Sequence, residues 1–176
     1  LPLVLQGCDG SLNSNQEELD QFVLDSSIWT VQLGTGTTDS AQGLSIDSQG
    51  NLYLAGYTSG NLQGNGNAGG QDLVLVKYNS NGDRQWTRQL GSSEDDVAFA
   101  SATDSKGNVY AAGYTEGGLD GSNTHNGNFD LFLVKYDTNG NKLWHKEYGT
   151  TDNESIFAIA PYKSEYVIVV GYTKGD

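Results

Sequence analysis

The sequence predicts an all-β protein, an incomplete β-propeller of four-stranded antiparallel blades with about two and three-quarter repeats of about 57 residues. Trp29, Trp86 and Trp144 stand 57 and 58 residues apart, and the segments that follow them match in detail. Each complete unit holds four strand-like pieces separated by turn residues. No part of the repeats keeps the 3.6-residue period of an amphipathic helix. The 24 glycines against 2 prolines suit short strands joined by tight turns.

Each predicted unit begins at its tryptophan. The first strand has bulky residues at alternate positions, and the fourth, LVLV or LFLV, is continuously apolar, as expected for a strand buried on both faces. The predicted strands are residues 29–34, 44–47, 51–58 and 72–78 in the first unit and 86–91, 97–104, 108–115 and 130–136 in the second. The resulting blade units are about 29–85, 86–143 and a truncated 144–176, within a propeller region of 28–176.

Turn residues separate these strands. An Asp-Ser-x-Gly-Asn motif at residues 47–51 and again at 104–108 predicts the turn between the second and third strands. Asn81-Gly82 and Asn139-Gly140 predict hairpins after the fourth strand, because Asn-Gly between apolar runs favours a tight turn. The third unit lacks the Asp-Ser-x-Gly-Asn motif and has residues 162–166 in its place, so its hairpin must turn differently. The Gly-Tyr-Thr after the third strand places a glycine where we expect two sheets to approach closely.

These segments resemble a known family. Residues 47–58, 72–82 and 86–91, with their counterparts in the second unit, are similar to the bacterial SBBP β-propeller repeats. The resemblance implies a propeller and an envelope or extracytoplasmic setting. It implies no enzyme activity, because the family is defined by its repeat and not by a reaction.

A propeller usually has 4 to 8 blades, so we expect this sequence to be part of a longer chain. Two alternatives remain open at this stage. Several copies of a short chain could associate to close the ring, or the repeats could form an open β-solenoid, although solenoid coils are usually shorter.

The N-terminal residues predict a lipoprotein. The chain contains no methionine, and residues 1–7 are typical of the end of a signal peptide. Leu5-Gln6-Gly7-Cys8 resembles a bacterial lipobox, in which a small residue precedes the cleavage site and the following thiol takes the lipid. We therefore expect Cys8 to be the lipid attachment site and residues 8–27 to form a flexible acidic tether. The alternative is an incidental cysteine near a terminus.

The predicted location is the bacterial cell envelope, with the lipid anchor in a membrane and the propeller at the cell surface or on the periplasmic face. No apolar run approaches the roughly 20 residues of a membrane-spanning helix. The formal net charge of −13 would repel a phosphate backbone, so we expect no nucleic acid partner.

Metal binding and catalysis are weakly indicated. Residues 137–141 and 79–83 place oxygen-bearing side chains at alternate positions around a glycine, as calcium loops do, but a hairpin is required at both places. Residues 69–73 faintly resemble a calcium-binding nonapeptide repeat. His125 and His145 have no accompanying nucleophile motif. We therefore expect no catalytic residue and no cofactor, with calcium as the one candidate.

The loops 59–71 and 116–129 are long and differ between the repeats, which is typical of a binding rim. The sequence thus favours a lipid-anchored, non-catalytic binding or scaffolding propeller with a protein or glycan ligand at its rim. One alternative is a propeller enzyme, a hydrolase or lyase, whose active site lies on blades outside this sequence. A weaker alternative is a calcium-stabilised adhesion module.

Overall fold

The structure is a computed structural model that describes residues 29–119, 127–164 and 166–175. The predicted signal-peptide remnant, Cys8, the tether and His125 lie outside the described residues. The chain divides into a unit of Leu1–Val31 and a unit of Gln32–Asp176, and the fold below is that of the second unit. In the described part of the chain no helix has the length and apolar character needed to cross a membrane.

The all-β prediction is confirmed. The described residues form ten strands, with one short 3-10 turn at Leu62–Gly64 and no α-helix. The strands are β1 (Asp39–Ile46), β2 (Leu52–Thr58), β3 (Asp72–Tyr78), β4 (Arg84–Leu90), β5 (Asp96–Thr103), β6 (Val109–Thr115), β7 (Asp130–Tyr136), β8 (Lys142–Tyr148), β9 (Glu154–Tyr162) and β10 (Tyr166–Thr173).

The strands form antiparallel meanders. The first sheet has the order β1-β2-β3-β4, the second has the order β5-β6-β7-β8, and β9 pairs with β10 in a third. The sheets do not close into a ring within the described residues, so the protein is an incomplete propeller of four-stranded blades, as the repeats predict.

The sheets are out of phase with the predicted blade units. The strands that carry Trp86 and Trp144 do not open a new sheet: β4 pairs with β3 and β8 pairs with β7, so each is the last strand of its sheet. The tight Asn-Gly turn joins each of these strands to the strand before it, whereas a loop leads on to the next sheet. A sequence repeat has no intrinsic starting point, and hydrogen bonding sets the blade boundary instead.

The predicted strand at residues 29–34 is wrong. None of these residues is in a strand, and the first described strand begins at Asp39. The equivalent strands β4 and β8 each pair with a strand that precedes them in the chain.

The meander gives each sheet two different ends. The β1–β2, β3–β4, β5–β6 and β7–β8 connections are short turns and all lie at one end, which we call the turn end. The β2–β3, β4–β5, β6–β7 and β8–β9 connections lie at the opposite end, which we call the loop end. The long segments 59–71 and 116–129 are therefore neighbours of the connections between sheets.

The sheets stack face to face on an apolar core. Strand β5 packs against β1 and β2, and β9 packs against β5 and β6. The core cluster contains the fully buried Tyr53, Leu75, Phe132 and Val134. Strand β3 is buried along its whole length, as its apolar run predicts, whereas β7 alternates between buried and half-buried residues.

Three side chains of the first sheet bind the β7–β8 turn of the second. The indole Nε1 of Trp86 donates to the carbonyl oxygen of Thr138 at 3.1 Å, and Lys77 Nζ donates to the same oxygen at 3.0 Å. Arg88 Nε donates to the carbonyl oxygen of Gly140 at 2.5 Å. The ring of Trp86 also lies between Tyr53 of its own sheet and Tyr136 of the next, with centroid distances of 5.9 and 6.4 Å.

The glycine of each Gly-Tyr-Thr motif lies opposite a β-bulge. The register shifts between Ala41 and Gly43 in β1, and at the equivalent places in β5 and β9. A Cβ on Gly56 would collide with the carbonyl oxygen of Ser40, and one on Gly113 with that of Val97. The close approach is thus between paired strands within one sheet and not, as predicted from the sequence, between two sheets.

The contact between Gly113 and the Val97 carbonyl oxygen predicts that Gly113→Ala strongly destabilises the fold. The obstacle is a backbone oxygen of a paired strand, which cannot move aside as a flexible side chain can, so the free energy of unfolding should fall by about 3 kcal/mol. A Cβ added to Gly36 would have no other atom within 4 Å, so Gly36→Ala is the matched control and should change stability by less than about 0.5 kcal/mol. Urea denaturation of both variants measures this, and equal stabilities would contradict the assignment.

Candidate functional site

The turn end is built from one repeated motif. In the β1–β2 turn, Asp47 Oδ1 accepts hydrogen bonds from the backbone N–H groups of Gln49 and Asn51, each at 2.9 Å. Its Oδ2 accepts from Asn51 Nδ2 at 2.8 Å and from the Tyr53 hydroxyl at 3.0 Å. Gly50 adopts a φ of +80°, which glycine tolerates and most residues avoid. The motif therefore specifies a self-contained turn.

The β5–β6 turn repeats these contacts and adds an ion pair. Asp104 accepts from the backbone of Lys106 and Asn108 and from the Tyr110 hydroxyl, and Lys135 Nζ lies 3.2 Å from its Oδ2. Burial alone would raise the pKa of Asp104, but the hydrogen bonds from Asn108, Lys135 and Lys106 outweigh it and lower the pKa. The Asp104 carboxylate is therefore charged, and it already binds groups of its turn and Lys135.

The β3–β4 and β7–β8 turns contain residues 79–83 and 137–141, which the sequence suggested as calcium ligands. Asp137 Oδ1 accepts from the backbone N–H groups of Asn139 and Asn141, and Oδ2 accepts from Asn141 Nδ2 at 2.8 Å. Asn79 makes the corresponding backbone contacts with Asn81 and Asp83. Both oxygens of Asp137 are engaged by the turn itself, so the hairpin explains this residue without a metal.

A second repeated motif holds the loop end. The first strand of each sheet begins with a carboxylate that accepts from a backbone N–H and a hydroxyl four residues earlier and from the threonine that ends the second strand. The three carboxylates are Asp39, Asp96 and Glu154; the donors are Thr35, Ser92 and Thr150 with Thr58, Thr115 and Thr173. The repeated Gly-Tyr-Thr thus supplies a hydroxyl that fixes the next connection.

A further loop-end carboxylate, Asp72 of the first sheet, faces Asp96 of the second sheet. Asp72 begins β3 and is 1% exposed, and Asp96 begins β5 and is fully buried. A Cβ on Gly91 would collide with Asp72 Oδ1 and would lie 3.0 Å from Asp96 Oδ2, so both oxygens face the same point. The absence of a side chain at residue 91 makes room for this pair.

Asp96 titrates abnormally. Burial raises its pKa to about 6, although the hydrogen bonds from Thr115 and Ser92 act in the opposite direction, and the negative charge of Asp72 adds to the rise. Asp96 therefore differs from the turn-end aspartates, in which hydrogen bonding prevails over burial.

The loop 59–71 is pinned to the sheet by Gln89 of β4. Its Oε1 accepts from the backbone N–H of Leu62 at 2.9 Å, and its Nε2 donates to the carbonyl oxygen of Gly60 and to Asp72 Oδ2 at 2.9 and 2.7 Å. The side chain of Leu62 is buried. In the second sheet Glu147 takes the place of Gln89 and accepts from the backbone N–H of Leu119 at 3.0 Å.

The loop and β4 line an open cavity of about 320 Å³. Its lining comprises Asn65, Gly66, Asn67, Ala68, Asp72, Gln89, Leu90 and Gly91. The lining is about half polar and includes the buried carboxylate of Asp72. This cavity lies on the rim that the variable loops predict as a binding surface.

Of the two histidines considered from the sequence, only His145 lies in the described part of the chain. His145 Nε2 lies 3.6 Å from Glu147 Oε1, which already binds the Leu119 backbone. Within residues 29–119, 127–164 and 166–175, no three His, Cys, Asp or Glu side chains converge into a metal-binding group. Sequence reasoning missed the Asp72–Asp96 pair, although the repeated aspartate at the start of a buried strand was visible.

The SBBP β-propeller repeat matches this chain twice, at residues 28–63 and 85–120. The chain is also similar to a curated protein of Caulobacter vibrioides, the regulatory protein FlaEY, with 34% identity over 149 residues. This alignment covers 76% of the chain and 16% of the relative, so the chain corresponds to a small part of that protein.

The raised pKa of Asp96 predicts a pH-dependent stability. Its folded-state pKa of about 6 exceeds the ordinary value near 3.8, so the folded protein binds the proton more tightly than the unfolded chain. The free energy of unfolding should therefore fall by about 3 kcal/mol as the pH rises from about 4 to about 6. Asp96→Asn removes this titration and should remove that fall.

Urea denaturation of the protein and of Asp96→Asn at pH 4, 5, 6 and 7, in the presence of a chelator, measures the effect. The turn-end aspartates have lowered pKa values and contribute an opposite slope to both proteins, so the difference between the two profiles isolates Asp96. Parallel profiles would show that Asp96 titrates normally.

Proposed function

Because the chain belongs to the SBBP β-propeller repeat family, we propose that it is a non-catalytic binding module, held in the bacterial envelope by a lipid on Cys8, that presents its loop end to a partner. The observation that carries this proposal is the difference between the two ends of the sheets. The turn end repeats the same closed turns, whereas the loop end carries segments that differ in sequence, of which 59–71 lines an open cavity.

The packing of the sheets favours a binding role for the loop end and a structural role for the turn end. Binding residues are commonly placed on loops that a packed scaffold holds in position. The loop 59–71 is such a segment, because Gln89 and the buried Leu62 fix its backbone while Asn61, Gln63 and Asn67 remain exposed. The scaffold therefore presents polar side chains in a defined geometry.

The chemistry of the rim favours a protein partner with basic or amide-rich contacts. The loop 59–71 contains no aromatic residue on which a sugar ring could stack. Exposed Glu94 and Asp152 lie in the neighbouring connections, and the whole chain carries a net charge of −13. A glycan remains the second ligand class for this rim.

Two further observations support the proposal. The relative from Caulobacter is named a regulatory protein, and a regulatory role suits a module that works by binding. Leu5-Gln6-Gly7-Cys8 has the lipobox pattern, which would place the propeller in the extracytoplasmic setting that the repeats favour.

The lipid anchor predicts a specific N-terminus. When the gene is expressed in a bacterial host, mass spectrometry of the membrane fraction should find a mature chain that begins at acylated Cys8. Cys8→Ser keeps the size of the side chain but removes the thiol, so this variant should be unacylated and still joined to residues 1–7. An unmodified Cys8 thiol within an uncleaved chain would contradict the anchor.

The binding face is tested separately with a photo-crosslinking residue. Gln63 at the loop end and Ser105 at the turn end are both exposed, so they form a matched pair. The proposal predicts adducts of discrete mass from position 63 and none from position 105 in cells of the native host. Adducts from position 105 alone would reverse the assignment of the binding face.

A further inference from the structure

The loop-end cavity contains a buried carboxylate oxygen that accepts no hydrogen bond. Asp72 Oδ2 accepts from the backbone N–H of Ala68 at 2.9 Å and from Gln89 Nε2 at 2.7 Å. Its Oδ1 is buried and accepts none. A buried acceptor left without a donor costs free energy, and the cost is larger for a charged group. Oδ1 of Asp72 is therefore a candidate ligand for a cation.

The neighbouring groups add negative charge and no positive charge. Asp96 faces the same point beside Gly91, and its contacts are the neutral donors Ser92 and Thr115. Neither Asp72 nor Asp96 forms an ion pair with a Lys, Arg or His of the described residues. In the second sheet Asp104 has Lys135 as its counterion, so the turn end and the loop end balance their buried charges differently.

The cavity wall opposite Asp72 offers amide oxygens. Asn65 turns its Nδ2 toward the carbonyl oxygen of Leu62 at 2.8 Å, and Asn67 turns its Nδ2 toward that of Gly70 at 3.4 Å. The Oδ1 atoms of Asn65 and Asn67 accept no hydrogen bond from the described residues. Both asparagines line the same cavity as Asp72.

From this arrangement we propose that the cavity is a calcium site, with the Asp72 carboxylate as its charged ligand and the side-chain oxygens of Asn65 and Asn67 as neutral ligands. Asp96 acts from behind Gly91 as an additional negative charge. Calcium accepts carboxylate, amide carbonyl and water oxygens in a flexible shell of 6 to 8 ligands. Zinc and copper favour histidine or thiolate ligands, which this cavity lacks.

A site with one direct carboxylate should bind calcium weakly. Extracellular calcium modules have dissociation constants of about 10⁻⁴ to 10⁻³ M, and the small number of charged ligands places this site in that range. In the extracytoplasmic setting proposed above, such a site would be filled by ambient calcium and would hold the loop 59–71 in one conformation. This biological meaning rests on the proposed function, whereas the binding itself does not.

Calorimetry and thermal denaturation of the chelator-treated protein with calcium chloride test the site at pH 7.5. A calcium concentration of about a hundred times the dissociation constant should raise the Tm by about 5 to 10 °C. Magnesium should have a much smaller effect, because it requires a tighter octahedral shell. No binding heat and no Tm shift in the unaltered protein would overturn the proposal.

The matched variants are Asp72→Asn and Asp137→Asn. Asp72→Asn should abolish the calcium response, and Asp137→Asn should retain it because the Asp137 oxygens already serve their turn. If Asp72→Asn fails to fold, Asn67→Ala at the exposed side of the cavity should weaken calcium binding by about tenfold. An unchanged response in Asn67→Ala and Asp72→Asn would also overturn the site.

The competing explanation is that Asp72 and Asp96 lie side by side without a metal ion. In that case calcium has no effect, and Asp72→Asn raises the Tm at pH 7.5 because it removes one of two neighbouring buried carboxylates. Either calcium result leaves the acylation of Cys8 and the crosslinks from position 63 unchanged, so failure of this site is distinguishable from failure of the proposed function.

Discussion

The structure depends on the contact between strands β3 and β4 of the first sheet and the β7–β8 turn of the second. Asp137 closes that turn through its own side chain and so holds the carbonyl groups of Thr138 and Gly140 in fixed directions. Lys77, Trp86 and Arg88 bind those carbonyls, and the Trp86 ring fills the space between two tyrosines. The turn motif therefore serves the neighbouring sheet as well as its own. Because these contacts hold the turn ends of the first and second sheets together, the loop ends of the two sheets also lie side by side.

The repeated acidic side chains differ in the balance between burial and hydrogen bonding. At the turn end, donors within the turn surround Asp47 and Asp104, and their pKa values fall despite burial. At the loop end, the pKa values of Asp39 and Glu154 also fall, whereas Asp96 is more deeply buried and faces Asp72, and its pKa rises. The depth of burial and the neighbouring charge therefore decide the direction for Asp96, because all three carboxylates have the same kinds of hydrogen-bond donors.

The sequence predicted what depends on local patterns. The apolar run of β3 and the Asp-Ser-x-Gly-Asn turns were assigned correctly, because alternation and turn chemistry act over a few residues. The blade phase and the strand at residues 29–34 were not, because they depend on which distant strand completes each sheet. The pairing of Asp72 with Asp96 was equally hidden, since the two residues belong to different sheets and meet only when those sheets stack. Calcium was considered at residues 137–141 and 79–83 for their spacing and at residues 69–73 for a faint likeness to a nonapeptide repeat. The cavity that brings Asp72 together with residues 65–68 and 89–91 follows from packing.

The contacts of equivalent residues differ between the first and second sheets. Trp86 is half-buried against the second sheet, and Trp144 contacts Tyr110 of its own sheet at a centroid distance of 6.0 Å. Lys135 binds Asp104 of its own sheet, whereas Lys77 reaches across to Thr138. The first sheet thus donates to the β7–β8 turn of the second, while Ser101 and Thr103 of the second sheet donate to backbone carbonyl oxygens of the first. Part of the stability resides in this interface.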